Sequence, residues 1–250
     1  MIQGLLETLG LPYVGCDYRS SALCMQKSWT KQIAMMHAIP SAPFVEYSAS
    51  LWRQRPALLK ERVEEQLSYP VWVKPVHLGS SIGVSRVENA EELEAAAVRA
   101  FSYGDALIVE KEIRGREIEF AVLGNDTIRI GVPGEILNQG QFYDYERKYG
   151  SAASETKTPA DLSSLEVETG RDLARRAYQA CGCTGLSRVD FFLDEEGHYW
   201  LNEINPMPGF TSISLYPKMW EAAGMTQREL CSELIVLALH RHRRLAKGTR

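Results

Sequence analysis

Two runs, Ser187-Arg188-Val189-Asp190-Phe191-Phe192-Leu193 and Leu201-Asn202-Glu203-Ile204-Asn205-Pro206, constrain this chain more than any others. Between them Asp194-Glu195-Glu196-Gly197 is rich in turn formers, so the pair reads as a β-hairpin. Side chains alternate along a strand. Arg188, Asp190 and Phe192 therefore share one face of the first arm, and Leu201, Glu203 and Asn205 one face of the second. A four-residue loop, Glu195 to His198, predicts Asp190 opposite Glu203 and Arg188 opposite Asn205. Directly paired side chains sit about 5 Å apart. Apolar neighbours on both arms argue for burial, where two such close carboxylates repel unless a cation lies between them. Carboxylate and amide oxygens suit Mg²⁺, which also takes phosphate oxygens, and Arg188 beside them suits a phosphate. The competing reading is a solvated hairpin with incidental charges.

A chain of 250 residues buries a substantial core and has room for two compact units. With 45% hydrophobic and 24% charged residues it is a folded protein rather than a disordered one. A net charge of −4 offers no global attraction to nucleic acid, and no apolar run approaches the roughly 20 residues of a membrane span. Met1 to Glu7 lacks the basic region of a secretory signal. Cys16, Cys24, Cys181, Cys183 and Cys231 are odd in number and carry neither zinc nor thioredoxin spacing. Buried free thiols in a reducing cytoplasm are the expectation.

Ile2 to Gly10 reads as a short amphipathic helix, and Pro12 to Gly15 as a short strand and turn. A helix follows around Ser21 to Ala38, with Lys27 and Lys31 near its middle, and another from Pro56 to Leu67. Val71 to Val73 is a strand ending at Lys74. The loop Leu78-Gly79-Ser80-Ser81-Ile82-Gly83 offers backbone and hydroxyl donors suited to covering phosphates, although it fits neither the P-loop nor the dinucleotide pattern. Asn89 and Glu92 open a helix to about Tyr103. Strands are expected at Ala106 to Lys111, Glu117 to Leu123 and Thr127 to Gly131. Glu110 and Glu117, taken alone, read as surface acids. Gly134 to Pro159 is polar, aperiodic and rich in tyrosine, as a functional loop is. Ser163-Ser164-Leu165-Glu166 is a capping box for a helix to about Ala180, and Thr226 caps the last helix. His240 to Arg250 reads as a solvated basic tail.

In family order, Gln3 to Glu7, Gly15-Cys16-Asp17, Ser21 to Lys27, Val73-Lys74-Pro75, Gly79 to Gly83, Tyr143 to Tyr149, Gly185 to Asp190, Asn202 to Pro206 and Pro208 to Ser212 together resemble the D-alanine–D-alanine ligase family of the ATP-grasp superfamily. The resemblance implies an α+β ATP-grasp architecture, two α/β domains sandwiching ATP. It divides the chain into 1–15, a remnant of the family's N-terminal domain; 16–113, a central domain; 114–245, a C-terminal metal-binding domain; and a tail at 246–250. It gives Lys27 and Lys74 to ATP phosphates, Glu110 to the adenine amino group and Glu117 to ribose. Ser80, Ser81 and Lys148 join the nucleotide site. Asp190, Glu203 and Asn205 match the ligands of two Mg²⁺ ions, with Mn²⁺ as a substitute. Arg188 and Gly209 would stabilise a tetrahedral intermediate, Ser80 and Tyr149 belong to a hydrogen-bonded closing set, and Ser214 and Leu215 hold the second substrate's carboxylate.

The implied chemistry joins two D-alanines through an acyl phosphate, for peptidoglycan synthesis in the cytoplasm. The alternatives are a D-serine or D-lactate acceptor, or an ATP-binding remnant without turnover. The family has a further domain before the position of Gln3, and the segment before Gln3 here is too short to hold it. That domain supplies a glutamate for the first D-alanine. The 250 residues alone are therefore expected to bind ATP but to ligate poorly, whether the sequence is truncated, belongs to a larger fusion or has lost the domain, with a homodimer, a fusion or a partner chain as candidate sources of what is missing.

Overall fold

The structure, a computed structural model, describes residues 2–137 and 155–248, with side chains as far as Leu245. Its strands form two sheets in which every pairing is antiparallel. The first has the order β1-β4-β2-β3, from Phe44–Ser48, Val71–Pro75, Ser85–Val87 and Ala106–Lys111 as β1 to β4. The second has the order β10-β9-β5-β7-β8, with β6 paired to β5. It is built from Arg116–Gly124 (β5), Arg129–Ile130 (β6), Gly134–Leu137 (β7), Glu155–Lys157 (β8), Gly185–Leu193 (β9) and Tyr199–Asn205 (β10).

Helices cover these sheets because each leaves an apolar face to bury. Leu59 and Val63 of α5 (Ala57–Gln66) and Leu93, Ala97 and Ala100 of α6 (Ala90–Phe101) pack on Val71, Val73, Leu107 and Val109 of the first sheet. The second sheet is covered on both faces. Phe120 and Val122 of β5 share a core with Ala174, Ala177 and Tyr178 of α7 (Ser164–Ala180). The alternate residues Ala121 and Leu123 share another with Tyr216, Met219 and Trp220 of α8 (Leu215–Ala222) and Leu230 and Leu234 of α9 (Gln227–Gly248). Cys16, Cys24, Ala34 and Ile39 join the core under α7, so the segment before β1 packs with the larger sheet.

Several elements differ from the sequence reading. α1 spans Ile2–Thr8 as expected, but Pro12 to Gly15 forms no strand. The helix expected from Ser21 to Ala38 is two helices, α2 (Tyr18–Met25) and α3 (Lys27–Met36). Gln26 between them is extended (φ −95°, ψ 93°), and the Lys27 amide donates to the Val76 carbonyl just beyond β2. Lys27 therefore opens α3. β1 and α4 (Ala49–Gln54) were not anticipated, although Val45 and Tyr47 alternate with Phe44 and Glu46 as a half-buried strand should. The basic C-terminal residues continue α9 as a helix. Arg241 donates to the carbonyls of Tyr13 and Gly15 and to Thr184 Oγ1, and its guanidinium lies 4.5 Å from the centre of the Tyr13 ring. Four cysteines are buried as expected, with Cys24 Sγ 3.7 Å from Cys183 Sγ, but Cys231 is exposed. Among the described residues no helix is long and apolar enough to cross a membrane.

Candidate active site

Glu119, Asp190 and Glu203 stand in a row across β5, β9 and β10, since Glu119 pairs with Asp190 and Asp190 with Glu203. The hairpin reaches this pairing by a route different from the expected one. Its turn is five residues, Asp194 to His198, so that Leu193 pairs with Tyr199, Phe192 with Trp200 and Phe191 with Leu201. Continued alternation would set Asn202 against Asp190 and turn Glu203 toward the core under α7. A bulge between Leu201 and Glu203 adds one residue and reverses the alternation. Leu201 therefore points into the core with Phe191 and Ile204, and only Glu203 and Asn205 face Asp190 and Arg188.

The polar row continues an apolar face. On one side of the sheet, Leu123, Ala121 and Leu186 lie beneath α8 and α9. Further along the same strands the side chains become Glu119, Arg188 and Asp190. Arg188 Nε and Nη2 donate to the two oxygens of Asp190 at 2.8 and 2.7 Å, and Nε lies 3.0 Å from Glu119 Oε2. Glu119 and Asp190 are each 1% exposed. Burial alone would lower the Arg188 pKa, but Asp190 and Glu119 outweigh it and hold the guanidinium firmly protonated. Glu119 was missed in the sequence, although Glu117-Ile118-Glu119-Phe120 has the alternation that points both acids the same way.

A second charged group lies on the first sheet. Lys74 of β2 donates to Glu110 Oε2 of β4 at 2.7 Å, and Lys31 Nζ of α3 is 3.3 Å from Glu110 Oε1. Glu110 is buried, contrary to its reading as a surface acid. Burial pushes its pKa up, but Lys31 and then Lys74 bring it down to about 2. Glu117 is half-buried on β5. Helix α3 joins the two groups. Lys27 Nζ lies 3.8 Å from Glu203 Oε2 and donates to the Leu78 carbonyl, and Lys31 Nζ donates to the Leu201 carbonyl at 3.3 Å. Lys27, Lys74, Glu110, Arg188, Asp190 and Glu203 thus meet where the two sheets adjoin.

Ser80 and Ser81 occupy the turn between β2 and β3, both with left-handed backbone (φ 56° and 58°), which costs a non-glycine residue about 1–3 kcal/mol. Ser214 is the N-cap of α8, and its Oγ accepts from the Thr211 amide at 3.1 Å. A side chain at Gly209 would meet that Oγ at 2.8 Å. Leu215, the first residue of α8, is buried. Lys148 and Tyr149 lie outside the described residues. A cavity of about 760 Å³, lined by Tyr18, Gln26, Trp29, His77, Asn205 and Met207, touches the row at Asn205 and none of the charged residues above. The oxygen donors of Asp190, Glu203 and Asn205, carried on paired strands, fit a hard divalent cation.

A family model described as "D-ala D-ala ligase C-terminus" matches residues 33–236. The chain belongs to that family. It is 45% identical over 243 residues to the D-alanine–D-alanine ligase of Heliobacterium modesticaldum, covering 97% of this chain and 66% of the relative. Against the enzyme of that name from Enterococcus faecalis it is 44% identical over 240 residues, covering 96% and 69%. Its fold superposes on the structure of the D-alanine-D-alanine ligase from Coxiella burnetii with a TM-score of 0.85 at 39% identity, covering 100% of this chain and 66% of that one. A D-Ala:D-Ser ligase from Enterococcus faecalis gives 0.86 at 36% identity, covering 95% and 68%. This member of the D-Ala D-Ala ligase C-terminal family has their α+β ATP-grasp architecture and spans about two thirds of the length of the relatives it matches.

Proposed function

We propose that this chain carries the nucleotide and metal site of an ATP-dependent ligase that joins two D-alanines for peptidoglycan synthesis. The reading is carried by the facing of Asp190 and Glu203 beside Arg188, within reach of Lys27. The names of relatives above 40% identical over nearly the whole chain support the same substrate. The similar D-Ala:D-Ser ligase makes D-serine the acceptor to test against D-alanine.

In this reading Lys27 and Lys74 hold ATP phosphates, with Ser80, Ser81 and Lys148 closing over them and Glu117 receiving ribose hydroxyls. Each carboxylate oxygen accepts two hydrogen bonds, so an adenine amino group at Glu110 shares an oxygen with a lysine. Asp190, Glu203 and Asn205 hold the divalent cations, Mg²⁺ or Mn²⁺. When bound, these neutralise the charge that develops on the transferred phosphoryl group.

A carboxylate oxygen of the first D-alanine attacks the γ-phosphorus, the bond to ADP breaks, and an acyl phosphate forms. The amine of the second D-alanine, having lost a proton from its ammonium, attacks the acyl carbon, and inorganic phosphate leaves. Arg188 and the Gly209 backbone stabilise the oxyanion, and Ser214 and Leu215 receive the second carboxylate. Ser80 and Tyr149 close the site against water, which would hydrolyse the acyl phosphate.

The test is product formation by a protein carrying these residues, supplied with ATP, Mg²⁺ and D-alanine, with D-serine and D-lactate in competition. D-alanyl-D-alanine should dominate. Preferential use of D-serine or D-lactate would overturn the acceptor, and absence of ATP binding would overturn the whole reading.

A further inference from the structure

Lys31 is 1% exposed, a burial that a lysine rarely tolerates without a counter-charge. Its ammonium reaches both halves of the site. It lies 3.3 Å from Glu110 Oε1, whose other oxygen accepts from Lys74 at 2.7 Å, and it donates at 3.3 Å to the Leu201 carbonyl. Leu201 is the last residue before the bulge that turns Glu203 toward Asp190. The Leu201 amide is held as well, donating to the Pro40 carbonyl at 2.7 Å.

We infer that Lys31 is a positioning residue for the phosphate site: it shares the Glu110 carboxylate so that Lys74 keeps its charge for a phosphate. Two ammoniums around one carboxylate leave one net positive charge. Without Lys31 the group is neutral and Lys74 is committed to Glu110, at a buried position where ion pairs are strong. Burial holds the Lys31 pKa below the ordinary lysine value, and the Glu110 carboxylate beside it is the largest influence opposing that fall. This inference rests on the nucleotide reading of the site and adds a residue to which that reading gives no part.

The experiment measures the affinities of the chain for Mg²⁺-ATP and for inorganic tripolyphosphate, which has no base. Three proteins are compared: the unsubstituted chain, Lys31→Met, and Lys31→Met with Glu110→Gln. Lys31→Met should weaken both ligands about tenfold or more, the scale of one charge-assisted phosphate contact. The double variant again leaves Lys74 as one uncompensated positive charge, so its tripolyphosphate affinity should return to within about threefold of the unsubstituted chain. A purely structural role predicts instead that the double variant binds no better than Lys31→Met, and that result overturns the inference. So does an unchanged affinity in a folded Lys31→Met. Should Lys31→Met fail to fold, the double variant decides alone: near-native tripolyphosphate affinity supports the inference, and its loss overturns it. If the unsubstituted chain binds neither ligand, the nucleotide reading fails and this inference with it.

Discussion

Asp190 and Glu203 face each other across an antiparallel pair only because one extra residue in β10 reverses its alternation after Leu201. In the proposed reading these two carboxylates, beside the Arg188 that pairs with Asp190, help to hold a divalent cation. Glu203→Gln removes one charge and one strong ligand while keeping the shape. The Mg²⁺-dependent part of nucleotide affinity should fall at least about tenfold, roughly the scale of one charged contact. Titration of a nucleotide analogue with and without Mg²⁺ reads this directly, and an unchanged metal dependence would remove Glu203 from the ligand set.

Gly170 lies inside α7, where alanine would ordinarily gain about 1 kcal/mol from helix propensity. Here an added Cβ would meet the Phe120 ring at 2.3 Å, within a cluster whose Phe120, Phe191 and Tyr199 rings pack edge to face. Packing decides the sign. Gly170→Ala should destabilise the fold by about 1–3 kcal/mol in urea unfolding. Stabilisation would show that the ring yields freely.

Arg241 fastens α9 to the chain near Tyr13 and Gly15 and to Thr184 beside β9. Arg241→Ala gives up hydrogen bonds from a charged donor and the stacking on Tyr13, and should cost about 2 kcal/mol. Denaturant midpoints measure the loss. A change below about 0.5 kcal/mol, the usual range of surface substitutions, would return these residues to the status of a solvated tail.

Glu110 sets a pH dependence. Its pKa in the fold is about 2 against an ordinary 4.5, so the folded state binds its proton less readily than the unfolded state does. The stabilisation is fully present above about pH 4.5 and is lost as pH falls through 2. At its fullest it is on the order of 3 kcal/mol. Stability measured from pH 5 to pH 2 should fall more steeply for the unsubstituted chain than for Glu110→Gln. Equal slopes would show that other carboxylates, such as Asp17 and Glu112, carry the acid sensitivity.

Local signals were the legible part of this chain. The Ser163 capping box, α1, α6, the strand at Ala106–Lys111 and the existence of the β9–β10 hairpin are written in short-range patterns, because caps, turns and alternation involve neighbours in sequence. The pairing of Asp190 with Glu203 was also anticipated, but through a four-residue loop without a bulge. The five-residue turn and the bulge each shift the register by one, and the shifts cancel at Asp190. The break at Gln26 was hidden, since Ser21 to Ala38 has unbroken helical composition. What favours the break is an acceptor, the Val76 carbonyl, 49 residues away from the Lys27 amide in sequence.

Residue order by itself determined which chemical groups the chain has to offer and which of them lie on strands, helices and turns. The hairpin pattern marked Arg188, Asp190, Glu203 and Asn205, and the strand end marked Lys74, whereas Lys27 came only from the family resemblance. Only the tertiary structure decided that Glu110 is buried between Lys31 and Lys74, that Glu119 joins the row beside Arg188, and that α3 reaches both sheets. Burial and charge pairing depend on which distant segments pack together, and chain-local periodicity carries no record of that distance.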